Sequence, residues 1–217
     1  MKFRGVIFDM DGVLCDSEAL MAEAAGLMFR ERYGVPATPV DFRPFIGTGE
    51  ARFLGGVAEH YGVKLQPDRD KARAYEIYLE LIPGRLQLLP GVPEFIAAAR
   101  ARGLKLALAT SADRVKLLGN LAAIHLPESS FDAVITGSEV QRKKPHPDIF
   151  LLAAERLGVP PVDCLVVEDA PSGLKAGRAA GCRCLGITSS FVAETLSVAG
   201  ADWVEPDLAA ALPLLAD

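Results

Sequence analysis

No convincing strand interrupts residues 16–89, whereas a β-forming run precedes them and short strands alternate with helices after them. That asymmetry constrains the fold more than any single motif. Upstream, Val6, Ile7 and Phe8, with Phe3 before them, have the apolar character of a strand buried on both faces. Within 16–89, Ser17 is placed to cap a helix reaching about residue 33, with Leu20, Ala24, Leu27 and Met28 at helical spacing and Gly34 and Pro36 ending it. Two more helices are expected over 50–61 and 68–82, after a loop that includes residues 42–49.

The pattern changes at Pro90-Gly91, which opens a helix whose Val92, Phe95, Ile96 and Ala99 share one face, and Leu104-Lys105-Leu106-Ala107-Leu108-Ala109-Thr110 is then a strand. Adjacent parallel strands are joined by a crossover of a dozen or more residues, so the roughly 75 residues before Pro90 exceed what a connection needs. They are expected to form a separate helical insertion, 16–89, packed over the edge where the first strand ends, with 1–15 and 90–217 as the core domain. Downstream, helices over 114–123, 147–157, 172–180, 192–198 and 207–215 alternate with strands over 133–136, 164–168, 183–187 and 203–204. The fold class is α/β, a doubly wound parallel sheet with helices on both faces.

Composition removes several functional classes. With 50% hydrophobic residues in 217 the chain can bury a full core, and its net charge of -5 comes with no Lys/Arg stripe, which argues against nucleic acid as a partner. No run approaches the roughly 18 apolar residues of a membrane span, and with Met1 followed closely by the first strand no signal or transit peptide is expected. A monomer in the cytoplasm is expected, or in the chloroplast stroma for a plant or algal fragment. Cys15, Cys164, Cys182 and Cys184 show no paired CxxC spacing and are expected to be reduced and buried.

Four polar signals fall at or just beyond the carboxyl ends of successive strands: Asp9 with Asp11, Thr110 with Ser111, Lys144, and Glu168 with Asp169. Convergence at that edge is what a site on this architecture requires. Singly, each is most often a turn or a helix cap. Together the carboxylates repel, by about 4 kcal/mol for two like charges ~4 Å apart at an effective dielectric near 20, so a cation must sit among them. An all-oxygen donor set suits Mg²⁺, which also takes substrate phosphate oxygens, and a small phosphate ester is the expected partner. Asp9 is then the candidate nucleophile, Asp11 the proton donor and acceptor, Lys144 the screening cation, and Thr110 a holder of the phosphoryl oxygens.

Phe8-Asp9-Met10-Asp11-Gly12-Val13, Ala109-Thr110-Ser111, Lys144-Pro145 and Val167-Glu168-Asp169-Ala170-Pro171 resemble the four motifs of the haloacid dehalogenase (HAD) superfamily, most closely its branch of β-phosphoglucomutases and sugar-phosphate phosphatases. The likeness spans the chain and implies a Rossmann-like core with a helical cap. It also implies Mg²⁺ held by the Asp9 side chain, the Asp11 carbonyl and Asp169, with Glu168 close by. Carboxylates at both 9 and 11 favour phosphoryl chemistry over dehalogenation.

Departures from the branch narrow the expectation. Met21 stands where many sugar-phosphate members have histidine and is expected to pack. Mutases carry a Ser-Lys-Asn-like run after the second motif; here Ala112-Asp113-Arg114 follows Ser111, and the acidic residue disfavours a second phosphate, although Arg114 can still supply a contact. A phosphatase is therefore expected, with a mutase, or a regulatory module acting through a partner, as the alternatives. The stretch around residues 45–56 is also similar to the corresponding domain of a plant thylakoid protein. Its Gly47, Thr48, Gly49, Glu50 and Arg52, with Ser111 and Arg114, are the candidate substrate-binding residues, and the plainer reading of that loop is a cap for the helix starting near Glu50. Asp16 and Ser17 form a hinge or a simple helix cap.

Overall fold

The computed structural model describes residues 3–45 and 50–216. Six parallel strands form one sheet in the order β3-β2-β1-β4-β5-β6, with β1 Gly5–Phe8, β2 Lys105–Ala109, β3 Ala133–Ile135, β4 Cys164–Glu168, β5 Arg183–Ile187 and β6 Trp203–Glu205. Alternation along each strand divides the core in two. Val6, Phe8, Leu106, Leu108, Leu165, Val167 and Leu185 face one layer, while Ile7, Ala107, Ala109, Ile135, Val166 and Cys184 face the other. Helices α5 Val92–Ala101, α6 Arg114–Ala123 and α10 Leu208–Ala211 bury apolar residues in the first layer; α7 Asp148–Leu157, α8 Pro171–Ala179 and α9 Ala193–Val198 do so in the second. This is the expected doubly wound sheet.

After β1 the chain builds outward to β2 and β3, then returns to β4 on the other side of β1. The winding reverses between β1 and β4, and beyond the carboxyl ends of those strands an open α/β sheet leaves a crevice. Asp9 follows β1 there, and β4 ends on Glu168.

Between β1 and α5 run α1 Glu18–Tyr33, α2 Pro39–Phe42, α3 Glu50–Tyr61 and α4 Pro67–Leu81. Helices α1 and α4 pack along each other, and Ala24, Ala25, Met28 and Phe29 bury against Ala74, Ile77 and Tyr78. Met21 packs as expected, but Leu27, which the spacing assigns to the same face, is 37% exposed. The short α2 and the 3₁₀ turn Arg43–Phe45 lie in the stretch read as loop; Thr38 and Asp41 form a capping box that starts α2. The two ends of this helical stretch are tied together, since Leu89 N–H donates to the Leu14 carbonyl at 2.9 Å and Cys15 bridges to Leu88. All four cysteines are free and buried. Among the described residues no helix is long and apolar enough to cross a membrane.

Candidate active site

Asp9 continues the β1 ladder by one step, its N–H donating to the Val167 carbonyl at 2.9 Å, and the chain then turns so that the N–H groups of Val13, Leu14 and Cys15 converge on the Met10 carbonyl. Gly12 has φ +77°, and a Cβ there would collide with the Asp169 carboxylate, so conformation and space both restrict this position to glycine. Gly173 does the same service for Glu168, whose carboxylate occupies the space a side chain on α8 would fill.

Two glycines thus let three acids approach. Asp9, Glu168 and Asp169 are buried, with oxygens within 4.8 Å of one another. Lys144 Nζ lies 2.5 Å from Asp9 Oδ1 and 2.6 Å from Glu168 Oε1, and 5.0 Å from the centre of the Phe150 ring. The second oxygen of Glu168 accepts the N–H groups of Asp169 and Ala170, each at 3.0 Å, at the start of α8. The Ser190 hydroxyl donates to Asp169, and that of Ser189 to the Gly12 carbonyl.

One ammonium does not balance three carboxylates. Burial, aided by Glu168 and Asp11, pushes the Asp9 carboxyl up to about 7 against the pull of Lys144. Burial, then Glu168 and Asp9, holds Asp169 well above the usual carboxylate range. For Lys144, burial works against the charge but Asp9 and Glu168 outweigh it, keeping the ammonium above its ordinary value.

Asp11 stands apart from this cluster. Its Oδ2 accepts from Lys116 Nζ at 2.8 Å, and its Oδ1 from the Ser17 hydroxyl and from Asn120 Nδ2 at 3.4 Å. Asn120 in turn accepts from the Tyr78 hydroxyl at 2.6 Å.

A strand-end aspartate against a buried lysine and an acidic pair, on this sheet order, agrees with what the comparisons with known proteins find. Residues 3–181 match the family model of the haloacid dehalogenase-like hydrolases. The chain belongs to that family. It is 45% identical over 210 residues to Protein SUPPRESSOR OF QUENCHING 1, chloroplastic, of Arabidopsis thaliana, covering 95% of this chain but 20% of that protein's length. It is 38% identical over 178 residues to the phosphorylated carbohydrates phosphatase of Thermotoga maritima, covering 82% of each. Among solved structures, CbbY from Rhodobacter sphaeroides in complex with phosphate superposes with a TM-score of 0.84 at 27% identity, covering 95% of both chains. This HAD hydrolase is therefore an enzyme with phosphatases among its relatives.

HAD hydrolases generally use a divalent metal, and the residues present fit one. The oxygens of Asp9, Glu168 and Asp169 converge, carry more negative charge than Lys144 offsets, and offer a hard donor set. Glu168 is more fully engaged than the other two, because one oxygen serves Lys144 and the other the backbone.

Of the remaining residues singled out in the sequence, Thr110 is buried at the end of β2, its N–H on the Ile135 carbonyl at 3.1 Å and its hydroxyl accepting the Ala112 N–H at 3.1 Å. Ser111 beside it is exposed. Arg114 is not brought to the acidic cluster: its guanidinium pairs with Glu128 at 2.8 Å on the surface. Arg52 is spent on Glu59 at 2.8 Å and lies over the Phe45 ring, 5.1 Å from its centre. Gly47, Thr48 and Gly49 lie outside the described residues; Glu50 begins α3.

Several partners were missed in the sequence. Ser17 holds the expected cap position, yet its side chain makes no cap bond and serves Asp11 instead. Lys116 and Asn120 are one turn apart on α6 among the buried Leu117 and Leu121, so polar residues on an apolar helical face were the available signal. Ser189 and Ser190 follow the carboxyl end of β5, the same edge that supplied the other site residues.

Proposed function

We propose that this HAD hydrolase is a Mg²⁺-dependent phosphatase that releases inorganic phosphate from a small phosphorylated metabolite, with sugar phosphates as the substrate class, through an aspartyl-phosphate on Asp9. The observation that carries this is Asp9 itself, buried at the end of β1 with Lys144 Nζ at 2.5 Å and the Glu168-Asp169 pair beside it. The Arabidopsis relative gives no substrate class by its name, whereas the Thermotoga relative, matched over 82% of its length, is named as a phosphatase of phosphorylated carbohydrates.

In this reading Asp9 attacks phosphorus while Asp11 gives its proton to the departing alkoxide; Asp11 then takes a proton from the water that cleaves the acyl phosphate and restores Asp9. Lys144 lowers the repulsion between the Asp9 carboxylate and an incoming phosphate dianion. The Asp9 and Asp169 side chains, the Asp11 carbonyl and Glu168 would hold Mg²⁺, which supplies positive charge for the phosphoryl oxygens. Thr110 and neighbouring backbone N–H groups hold those oxygens. Residues 16–89 serve as a cap over a core of 1–15 and 90–217, with Gly47, Thr48, Gly49, Glu50 and Arg52 as its candidate specificity residues.

A mutase remains the second reading, because Lys71 of α4 forms an ion pair with Asp113 and removes part of that residue's objection to a second phosphate. Phosphate release from a panel of hexose, pentose and glycerol phosphates with Mg²⁺ tests the proposal. Adding a catalytic sugar bisphosphate to a hexose 1-phosphate separates the readings, since isomer without inorganic phosphate means mutase. In Asp9→Asn, turnover should fall by about 10⁴-fold or more with the fold intact. Retained phosphate release in that variant overturns the aspartyl-phosphate route.

A further inference from the structure

Both oxygens of Asp11 are held by donors from outside the Asp9 cluster: Lys116 on Oδ2, Ser17 and Asn120 on Oδ1. A carboxyl that gives a proton to a leaving oxygen and then takes one from water works only when its reactive oxygen is aimed at the reacting group. Asn120 is fully buried and is itself oriented. Its amide oxygen accepts the Tyr78 hydroxyl at 2.6 Å, which leaves the NH₂ group for Asp11 Oδ1 and for Met10 Sδ at 3.3 Å.

Tyr78 belongs to α4, within the insertion, while Asn120 belongs to α6. Helix α4 also meets the residue before α6 at the Lys71 and Asp113 pair, and Leu79 of α4 fills the space where Gly119 of α6 lacks a side chain. Lys116 Nζ also lies 5.8 Å from the centre of the Tyr78 ring, so one residue of α4 touches both of the α6 side chains that hold Asp11.

We propose that Lys116, Asn120 and Tyr78 are positioning residues for Asp11, and that Tyr78 makes the aim of that carboxyl depend on α4 being docked against α6. The inference rests on the phosphatase reading above and adds the means by which the insertion controls the proton-transfer step. In that step the P–O bond to the leaving group breaks as Asp9 bonds to phosphorus, and the leaving oxygen receives the Asp11 proton.

The test compares kcat/KM for phenyl phosphate and p-nitrophenyl phosphate with Mg²⁺. The two esters are close in shape, but p-nitrophenolate departs with little need of a proton and phenolate does not. The ratio of the nitrophenyl to the phenyl value is independent of the fraction of protein folded, and it changes little when phosphate binding weakens for both esters. It should rise about tenfold in Asp11→Asn, and about threefold in Tyr78→Phe, Asn120→Leu and Lys116→Met, with Lys116→Arg restoring it. A raised ratio in Asp11→Asn with unchanged ratios in the other variants overturns the positioning inference and leaves the phosphatase reading standing. A rise in the α6 variants without one in Tyr78→Phe overturns the dependence on α4. An unchanged ratio in Asp11→Asn, or no phosphate from either ester with the wild-type protein, overturns the acid role and the inference with it.

Discussion

Asp9 and Asp11 are two residues apart and live in different surroundings. Asp9 is fixed from the sheet, by the β1 ladder and by Lys144, which arrives after β3 and also pairs with Glu168 at the end of β4. Asp11 is fixed from helices, by Lys116 and Asn120 of α6 and by Ser17 at the head of α1. Asp9 is tied to the sheet by a ladder hydrogen bond, and in-line attack on phosphorus tolerates little misplacement. On the proposed reading, the proton carrier Asp11 is coupled to α6 directly and to α4 through Tyr78. One turn of chain therefore carries two carboxylates with different supports, the sheet edge for Asp9 and α6 with the head of α1 for Asp11.

The sharpest way to break this division is Lys144→Met. Removing the ammonium leaves Asp9 and Glu168 buried without their shared partner, and breaking a buried pair in that way costs about 3–5 kcal/mol. Activity should fall by about 10²–10³-fold, the scale of losing one electrostatic contact in a preorganised site. Denaturant unfolding and phosphate release measure the two losses. Lys116→Met removes the corresponding ammonium from Asp11, whose side chain is 21% exposed against 11% for Asp9, and should cost less stability. Equal losses in the two variants would dissolve the contrast.

The same division explains what could be read from the sequence. The meeting of Asp9, Lys144 and the Glu168-Asp169 pair was legible because a parallel sheet delivers every strand's carboxyl end, and the loop after it, to one edge. The sheet and nearly all of its helices were legible for the same reason of local periodicity. Lys116, Asn120 and Tyr78 were not, since their meeting depends on how α4 packs on α6, a contact between residues 42 apart that no local pattern encodes. Ser17 carried a misleading local signal: it stands at a helix start, where a cap hydroxyl accepts a backbone N–H, but its hydroxyl donates to Asp11 instead. The expected loop that includes residues 42–49 overlaps α2 and its 3₁₀ turn because both are too short to show a period.

A second prediction sharpens the Asp9 side through pH. Asp9 is raised from an ordinary 3.8 to about 7, with burial as the first cause, and Asp169 is raised in the same direction. The folded state then holds protons that the unfolded state has released, so this contribution is complete below about pH 4 and is lost as pH rises towards 7. Without metal, Tm should fall between pH 5 and 8, less so in Asp9→Asn. Mg²⁺ requires the ionised carboxylates, so its stabilisation should be larger at pH 8 than at pH 5. At a hundredfold excess over Kd it amounts to about 2.7 kcal/mol, or roughly 5–10 °C for a chain of this size. Thermal scans with and without Mg²⁺ at the two pH values check it, and a Mg²⁺ increment independent of pH would remove the acid cluster as the site.

The smallest effect is expected two residues from the largest missed one. Arg114 and Lys116 both lie on α6, but a two-residue step carries them to different sides: Lys116 is buried against Asp11, and Arg114 is on the surface with Glu128 at 2.8 Å, the two side chains 52% and 38% exposed. An exposed pair of this kind contributes about 0–1 kcal/mol. Arg114→Ala should therefore shift unfolding by less than about 1 kcal/mol and leave KM for the best sugar phosphate within about twofold. The sequence offers Arg114 as a contact for a second phosphate, and a KM raised tenfold for a bisphosphate but not for a monophosphate would mean that the Glu128 pair opens for substrate. In that case α6 would hold the substrate with one side and aim Asp11 with the other, and the separation of the two aspartates would extend to the ligand itself.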